Sequence, residues 1–175
     1  MPDILIIPGS LRQMSSSRAT ARALSQRLEA QANWSIADIG TLPHYNADVT
    51  DNPAVAAFVD QVGAADGIVF VSPEYNYSVP GVLKNAIDWA SRPAFASVFR
   101  DKPCFVVSVS GGALGGVRAQ AHLKYILNGM LARVFAAKEV VVPNANAKVA
   151  DGLLNDPDVL AFAEAEIMPF IDSLA

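Results

Sequence analysis

Asp66-Gly-Ile-Val-Phe-Val-Ser72 is the clearest β-strand in the sequence, and it leads into the loop Pro73-Glu-Tyr-Asn-Tyr-Ser-Val-Pro-Gly81. After this loop, apolar residues recur at the i, i+3, i+4, i+7 spacing of one helix face: Leu83, Ala86, Ile87 and Ala90. The pattern predicts a buried strand followed by a helix over 80–92. A strand without alternating polar residues is typical of a sheet that is covered on both faces.

The same alternation of strand and helix extends outward along the whole chain. Apolar runs predict four further strands at Asp3–Pro8, Trp34–Ile39, Lys102–Ser110 and Glu139–Pro143. Helical patterns predict helices at Ser15–Ala32, Asn52–Gly63, Pro80–Arg92, Gly116–Leu131 and Pro157–Leu174. We therefore expect an α/β fold, a doubly wound five-stranded parallel sheet with helices on both faces. The 143–156 stretch is predicted as a surface loop, and residues 1–175 as a single domain.

Composition and charge exclude several classes of protein. Hydrophobic residues make up 52% of the 175 residues, which is ample for a buried core. The formal net charge is −4 and the basic residues do not cluster, which argues against nucleic acid as a partner. The single cysteine, Cys104, allows no internal disulfide, and the isolated His44 and His122 lack further ligands at metal spacing. We expect no metal site.

The N-terminal residues lack the features of a secretory signal. Met1 to Ile7 carries an acid at Asp3 and has neither a basic segment nor a long apolar one. No apolar run reaches the ~20 residues that span a bilayer. A cytoplasmic protein without a membrane partner is the expectation.

The loop after the first strand, Pro8-Gly-Ser-Leu-Arg-Gln-Met-Ser-Ser-Ser-Arg18, leads directly into a helix. A helix N-terminus presents unpaired N–H groups and the positive end of the helix dipole. Ser10, Ser15 and Ser17 add hydroxyl groups there, and Arg12 adds a guanidinium suited to phosphate oxygens. The combination predicts a site for a terminal monophosphate, although serines at a helix start also act as ordinary caps. The loop matches neither a dinucleotide-binding motif nor a P-loop.

Two more loops follow strands at the same edge of the predicted sheet. The 73–81 loop carries two tyrosines, an acid and an amide on a backbone stiffened by prolines, which suits a flat heteroaromatic ligand or else a rigid turn packed on the core. Ser110-Gly-Gly-Ala-Leu-Gly-Gly116 has four glycines, which allow a backbone to approach a ligand closely. Arg118 then lies at the unfavourable positive end of a helix dipole. It is either surface charge or directed at a ligand or another chain.

Three blocks of sequence carry a resemblance to a known family. They are Gly9-Ser-x-Arg-x-x-Ser15, Pro73-Glu-Tyr-Asn-x-Ser-x-Pro-Gly-x-Leu-Lys-Asn-Ala-Ile-Asp-Trp89 and Ser110-Gly-Gly-x-x-Gly-Gly-x-Arg118. With these blocks the chain resembles the NAD(P)H-dependent FMN reductases, a family that includes related chromate, quinone and azo-compound reductases. The resemblance extends from residue 4 to about residue 142.

The resemblance implies a flavodoxin-like fold, noncovalent FMN, and a homodimer or homotetramer with the flavin near a subunit boundary. It implies that the FMN phosphate is held by Ser10, Arg12, Ser15 and Ser17. It further implies that the ribityl chain and ring are lined by Pro73, Glu74, Tyr75 and Asn76, and approached from the other loop by Ser110, Gly111 and Gly112. The implied reaction is a ping-pong transfer from NADPH or NADH to FMN, and then to a quinone, free flavin, chromate or azo compound. Because the flavin carries the chemistry, no catalytic side chain is expected.

Three alternatives remain open from the sequence alone. A non-enzymatic electron carrier of the flavodoxin type would share the fold, although such carriers are usually more acidic than this chain. A serine hydrolase would use Ser108-Val-Ser-Gly-Gly112 as a nucleophile elbow, yet the last histidine, His122, follows with no acid between. A flavin-binding module without turnover is the third.

Overall fold

In the computed structural model, which describes residues 1–174, the strand at 67–73 lies at the centre of a parallel sheet. The strands of the sheet are β1 (Asp3–Pro8), β2 (Asn33–Ile36), β3 (Gly67–Pro73), β4 (Pro103–Val109), β5 (Arg133–Val134) and β6 (Val140–Val142). Their order across the sheet is β2-β1-β3-β4, with β5 and β6 both paired to the outer side of β4. All seven residues of β3 are buried. The predicted flavodoxin-like parallel sheet is confirmed.

Helices cover both faces of this sheet, as predicted. They are α1 (Ser16–Arg27), α2 (Pro53–Ala64), α3 (Gly81–Ala90), α4 (Val117–Gly129) and α5 (Pro157–Asp172). On one face, Leu24 of α1 and Phe170 of α5 belong to a common core cluster. On the other face, Phe58, Leu83 and Leu123 bring α2, α3 and α4 into a second cluster. Within residues 1–174 no helix has the length and apolar character to cross a bilayer.

The fifth strand position differs from the single strand predicted at Glu139–Pro143. Two short strands, β5 and β6, share that position along β4. Between them, the half-buried ring of Phe135 packs against the core, with its centroid 6.3 Å from that of Phe105 and 5.7 Å from that of Phe170. A two-residue strand gives no detectable apolar run, so the sequence did not predict β5.

The prediction of a plain surface loop over 143–156 is wrong. Residues Ala145–Lys148 form a turn of 3-10 helix, and β7 (Val149–Ala150) pairs antiparallel with β8 (Leu153–Leu154). Asp151 and Gly152 connect them with φ of 50° and 75°, the conformation that Asp-Gly favours in a two-residue hairpin turn. Leu154 is buried in the core beside α1 and α5. The Asp151-Gly152 pair is the feature of the sequence that indicates this hairpin.

Two other boundaries also differ. The helix predicted over Ser15–Ala32 ends at Arg27, and the indole Nε1 of Trp34 donates to the carbonyl of Leu28, 2.8 Å away, just beyond that end. The strand predicted over Trp34–Ile39 is β2, which stops at residue 36. The carboxylate of Asp38 then accepts a hydrogen bond from the backbone N–H of Gly40 and begins a 3-10 turn. A local cap therefore overrides the weak strand pattern.

The chemistry of Cys104 provides a test of the fold. Its side chain is buried in β4, and this burial raises the pKa of the thiol to about 12. At pH 8 the thiol stays protonated, and only a thiolate attacks a disulfide reagent. We expect folded protein to leave the aromatic disulfide DTNB unreacted. Protein unfolded in guanidinium should release one equivalent of thionitrobenzoate per chain. Fast reaction of the folded protein would contradict the placement of β4.

Candidate functional site

The carboxyl ends of β1, β3 and β4 bring the three predicted loops together around one cavity of about 150 Å³. The residues that line it are Arg12, Ser15, Ser16, Ser17, Pro73, Glu74, Tyr75, Val109, Ser110, Gly111 and Asn146. Three of the residues expected at a ligand site do not line this cavity: Ser10, Asn76 and Gly112. Sites that enclose a small molecule typically measure about 300–1,000 Å³. This cavity therefore encloses only part of a ligand of that size.

The first loop forms a cradle of donors at the start of α1. Ser15 caps the helix, since its hydroxyl accepts from the backbone N–H of Arg18 at 3.2 Å. The hydroxyls of Ser15 and Ser17 lie 3.2 Å apart, and both side chains are buried. The backbone N–H groups of Ser16 and Ser17 have no acceptor within residues 1–174. Unpaired amides at a positive dipole end are the elements of an anion site.

Two arginines on α1 hold the carbonyl groups of this loop. Nε of Arg18 donates to the carbonyl of Ser10 at 3.1 Å, and Nη2 of Arg22 donates to that of Gln13 at 3.4 Å. The carbonyls are thus turned toward the arginines. Arg12 is different, because its exposed guanidinium has no side-chain partner within the described chain and lines the cavity. One arginine is therefore available for a ligand, and two maintain the loop.

The second loop is a tight turn that reaches back to the first. The backbones of Tyr75 and Ser78 exchange two hydrogen bonds of 3.1 Å. Asn76 and Tyr77 occupy the corner with φ of 50° and 66°, as a type I′ turn requires. The hydroxyl of Tyr75 lies 3.3 Å from that of Ser10, so the turn joins the second loop to the first.

The Glu74 carboxylate caps α4. Its Oε2 accepts from the backbone N–H groups of Arg118 and Ala119 at 3.1 and 3.2 Å, and its Oε1 accepts from Nη1 of Arg118 at 3.3 Å. This explains how a cation is tolerated at the positive end of the α4 dipole. Arg118 also lies over the Tyr77 ring, 4.6 Å from its centroid. Glu74 therefore lines the cavity while its charge is compensated by the helix and by Arg118.

The third loop is held by the chain segment that follows β6. The backbone N–H of Ser110 donates to the carbonyl of Val142, and the carbonyl of Ser110 accepts from Ala145. The carbonyl of Gly112 accepts from Asn144 at 3.0 Å. Gly115 and Gly116 then enter α4 with φ of 62° and 88°, where a side chain would be strained. The glycines thus permit a turn that the last part of the sheet fixes in place.

The serine-hydrolase alternative finds no support in this geometry. The nucleophile of this elbow would be Ser110, the central residue of 108–112, and its hydroxyl accepts from the backbone N–H of Gly112 at 3.1 Å. His122 does contact a serine, but that serine is Ser78, at 2.9 Å from Nδ1. No carboxylate among residues 1–174 hydrogen-bonds the His122 ring, so nothing orients it as the base of a triad.

Comparison with known proteins identifies the family. The family described as NADPH-dependent FMN reductase matches residues 2–147, which is most of the chain.

The chain belongs to the NADPH-dependent FMN reductase family.

Individual relatives agree with this membership. A 2-hydroxy-1,4-benzoquinone reductase of a Burkholderia species is 46% identical over 69% of this chain and 67% of its own. An NAD(P)H-dependent FMN reductase of Pseudomonas aeruginosa is 41% identical over 87% of this chain and 84% of its own. The solved structure of FerB, a flavoenzyme NAD(P)H:(acceptor) oxidoreductase of Paracoccus denitrificans, is 31% identical, with a TM-score of 0.88 over 99% of this chain and 97% of FerB.

Membership in the FMN reductase family makes the chain an oxidoreductase that uses FMN and NAD(P)H, as the sequence blocks predicted. It also favours an enzyme over a flavodoxin-type carrier, because the relatives are named as reductases.

Part of the long second block has a structural role. Asn85 Nδ2 and Trp89 Nε1 both donate to the carbonyl of Pro43, at 2.9 and 2.8 Å, and attach the segment after β2 to α3.

Sequence reasoning missed three residues of the cavity wall: Ser16, Val109 and Asn146. Ser16 lies inside the serine run, where no pattern distinguishes it from its neighbours. Val109 closes β4 and carries no chemical signal. Asn146 comes from the segment that was predicted as a surface loop, and no local pattern connects it to the first loop.

Glu74 provides a test of the site's framework. Replacing it with alanine removes the cap of α4 and leaves Arg118 unpaired at a positive dipole end. We expect the free energy of unfolding to fall by about 1–2 kcal/mol, and Tm by about 2–4 °C per kcal/mol, in thermal unfolding experiments. Glu74→Gln keeps an acceptor for the amides and should lose less. Glu29 is an exposed acid just beyond the carboxyl end of α1, so Glu29→Ala is the control and should leave Tm unchanged. Equal Tm values for the two alanine variants would contradict the capping role.

Proposed function

We propose that the chain catalyses ping-pong electron transfer from NAD(P)H through FMN to a quinone-type acceptor, with FMN held in the cavity described above. The observation that carries the proposal is the donor-lined cradle at the start of α1, in a chain of the FMN reductase family. FMN supplies the redox chemistry when bound, since it takes a hydride from a nicotinamide and releases electrons to an acceptor.

The first loop fits the phosphate of FMN. The unpaired amides of Ser16 and Ser17 and the hydroxyls of Ser15 and Ser17 converge at the positive end of the α1 dipole. Arg12 adds a guanidinium with no competing ion pair within the described residues. A dianionic phosphate matches this set in charge and in hydrogen-bonding capacity. We assign the phosphate to Arg12, Ser15 and Ser17, with Ser10 placing the loop through Tyr75.

The second and third loops fit the rest of the cofactor. Pro73, Tyr75 and Gly111 line the cavity, and Tyr75 remains half exposed. We assign the ribityl chain and ring to these residues together with Glu74, Asn76, Ser110 and Gly112. The backbone N–H of Gly111 has no acceptor within residues 1–174 and can stabilise negative charge on a ligand.

No protein side chain needs to form a covalent intermediate in this reaction. Cys104 is buried in β4 with a raised pKa, which removes it from consideration as a nucleophile. The residues of the site bind, orient and stabilise charge.

Quinones are the acceptor class best supported, because a relative that is 46% identical is named a 2-hydroxy-1,4-benzoquinone reductase. Free flavin, chromate and azo compounds are weaker candidates. The partial enclosure by one chain supports a homodimer or homotetramer in which a second copy covers the open end. We place the enzyme in the cytoplasm, with neither nucleic acid nor membrane as a partner, in keeping with the net charge of −4.

Steady-state kinetics test the proposed reaction. With purified protein loaded with FMN, varying NADPH or NADH at several fixed concentrations of a benzoquinone should give parallel double-reciprocal lines. Anaerobic NAD(P)H alone should bleach the flavin absorbance, and the quinone should restore it. Intersecting lines would show that donor and acceptor bind together, which contradicts the ping-pong scheme. A flavin that NAD(P)H cannot bleach would refute the proposed function.

Arg12 provides a test of the phosphate assignment. Arg12→Ala should raise the Kd of FMN about 10- to 100-fold, since hydrogen bonds to charged groups contribute about 1.5–3 kcal/mol. Its effect on riboflavin, which has no phosphate, should be small. Arg100→Ala is the matched control, because Arg100 is exposed before the amino end of β4, away from the cavity. Fluorescence titration gives both constants, and an unchanged FMN affinity in Arg12→Ala would remove Arg12 from the site.

A further inference from the structure

The segment after β6 supports the first loop as well as the third. The carbonyl of Gly152, in the β7–β8 turn, accepts from Nε of Arg22 at 2.9 Å. The same arginine donates to the carbonyl of Gln13 in the first loop. The buried Leu154 anchors the hairpin in the core cluster that includes α1. Residues 143–154 therefore form a fixed side of the site.

Asn146 is the residue of this segment that lines the cavity. Its Oδ1 accepts a hydrogen bond of 2.8 Å from the hydroxyl of Ser16, in the first turn of α1. Its Nδ2 lies so close to Gly111 that a Cβ at that glycine would come within 2.8 Å of it. The amide group thus spans the space between the first loop and the third.

The hydrogen bond from Ser16 determines which end of the amide is available. Because Ser16 donates to Oδ1, the two N–H donors of Nδ2 are directed away from α1. Neither has an acceptor within residues 1–174. Asn146 is exposed and lines the cavity, so its two donors are free to bond a ligand there.

The surroundings of Asn146 select an acceptor-rich, anionic ligand. Arg12 and the serines of α1 are donors, and the one acid of the wall, Glu74, has its carboxylate engaged by α4 and Arg118. A further donor from the opposite side adds to the same electrostatic preference.

We infer that Asn146 is an FMN-binding residue whose Nδ2 donates to the bound cofactor, and that Ser16 is the positioning residue that orients its amide. This inference rests on the proposed placement of FMN in the cavity. It gives the segment 143–148 a role in cofactor affinity.

Fluorescence titration with FMN tests this role. Asn146→Ala should raise the Kd about tenfold, the effect of one hydrogen bond to a polar or charged group. Asn146→Asp, which keeps the shape but replaces the donor with a negative charge, should raise it further. Asn155→Ala is the matched control, since Asn155 is exposed and only its backbone is bonded. An Asn146→Asp variant that binds FMN as tightly as the unaltered protein would overturn the inference.

A double-mutant cycle tests the contribution of Ser16. Ser16→Ala alone should weaken FMN binding, and in the Asn146→Ala background it should change the Kd by less than about twofold. Additive effects would refute the positioning role. Thermal unfolding of each variant without FMN separates a loss of affinity from a loss of structure. We expect each variant to unfold at a Tm close to that of the unaltered protein.

FMN binding by the unaltered protein distinguishes failure of the proposed function from failure of the inference about Asn146. If it binds no FMN, the proposed function fails and the inference fails with it. If it binds FMN and Asn146→Ala binds equally well, only the inference about Asn146 is refuted.

Discussion

The pairing of β3 with β1 on one side and β4 on the other determines the position of every loop in the site. Because all three strands are parallel, their carboxyl ends reach the same edge of the sheet, with Pro8 paired to Val71 and Pro73 to Val109. Residues that are about 65 positions apart in the chain, Ser10 and Tyr75, thereby come within hydrogen-bonding distance. Among the described residues of these strands, Pro73 and Val109 alone line the cavity, yet its geometry depends on the buried apolar side chains of all three.

Charge in the site is arranged by the same framework. α1 and α4 both present the positive ends of their dipoles toward the loops, and the chain treats the two ends differently. At α4, the carboxylate of Glu74 takes up the exposed amides and neutralises Arg118. At α1, serine hydroxyls take that place, and the amides of Ser16 and Ser17 stay unpaired within the described chain. Of these two helix ends, the α1 end is therefore the one suited to bind a small anion.

Most of the fold and much of the site could be predicted from the sequence, for physical reasons. β3 and β4 are apolar on both faces, so their strand character and burial were visible without tertiary information. Arg12, Ser15 and Ser17 were detectable because a helix start has known unsatisfied donors. The split fifth strand was not, since β5 has only two residues, and the packing of Phe135 against Phe105 and Phe170 joins residues distant in the chain. The contact between Ser16 and Asn146 joins residues 130 positions apart, and no local pattern encodes it.

The dependence of the first loop on residues 143–154 has a consequence for how the protein matures. A chain emerging from the ribosome exposes its serine-rich loop early, but the partners of Ser16 and Arg22 are synthesised more than a hundred residues later. The two contacts cannot both form before residue 152 has been synthesised. The first loop therefore lacks these contacts through most of the chain's synthesis, and its support is complete only when the last quarter of the chain is present.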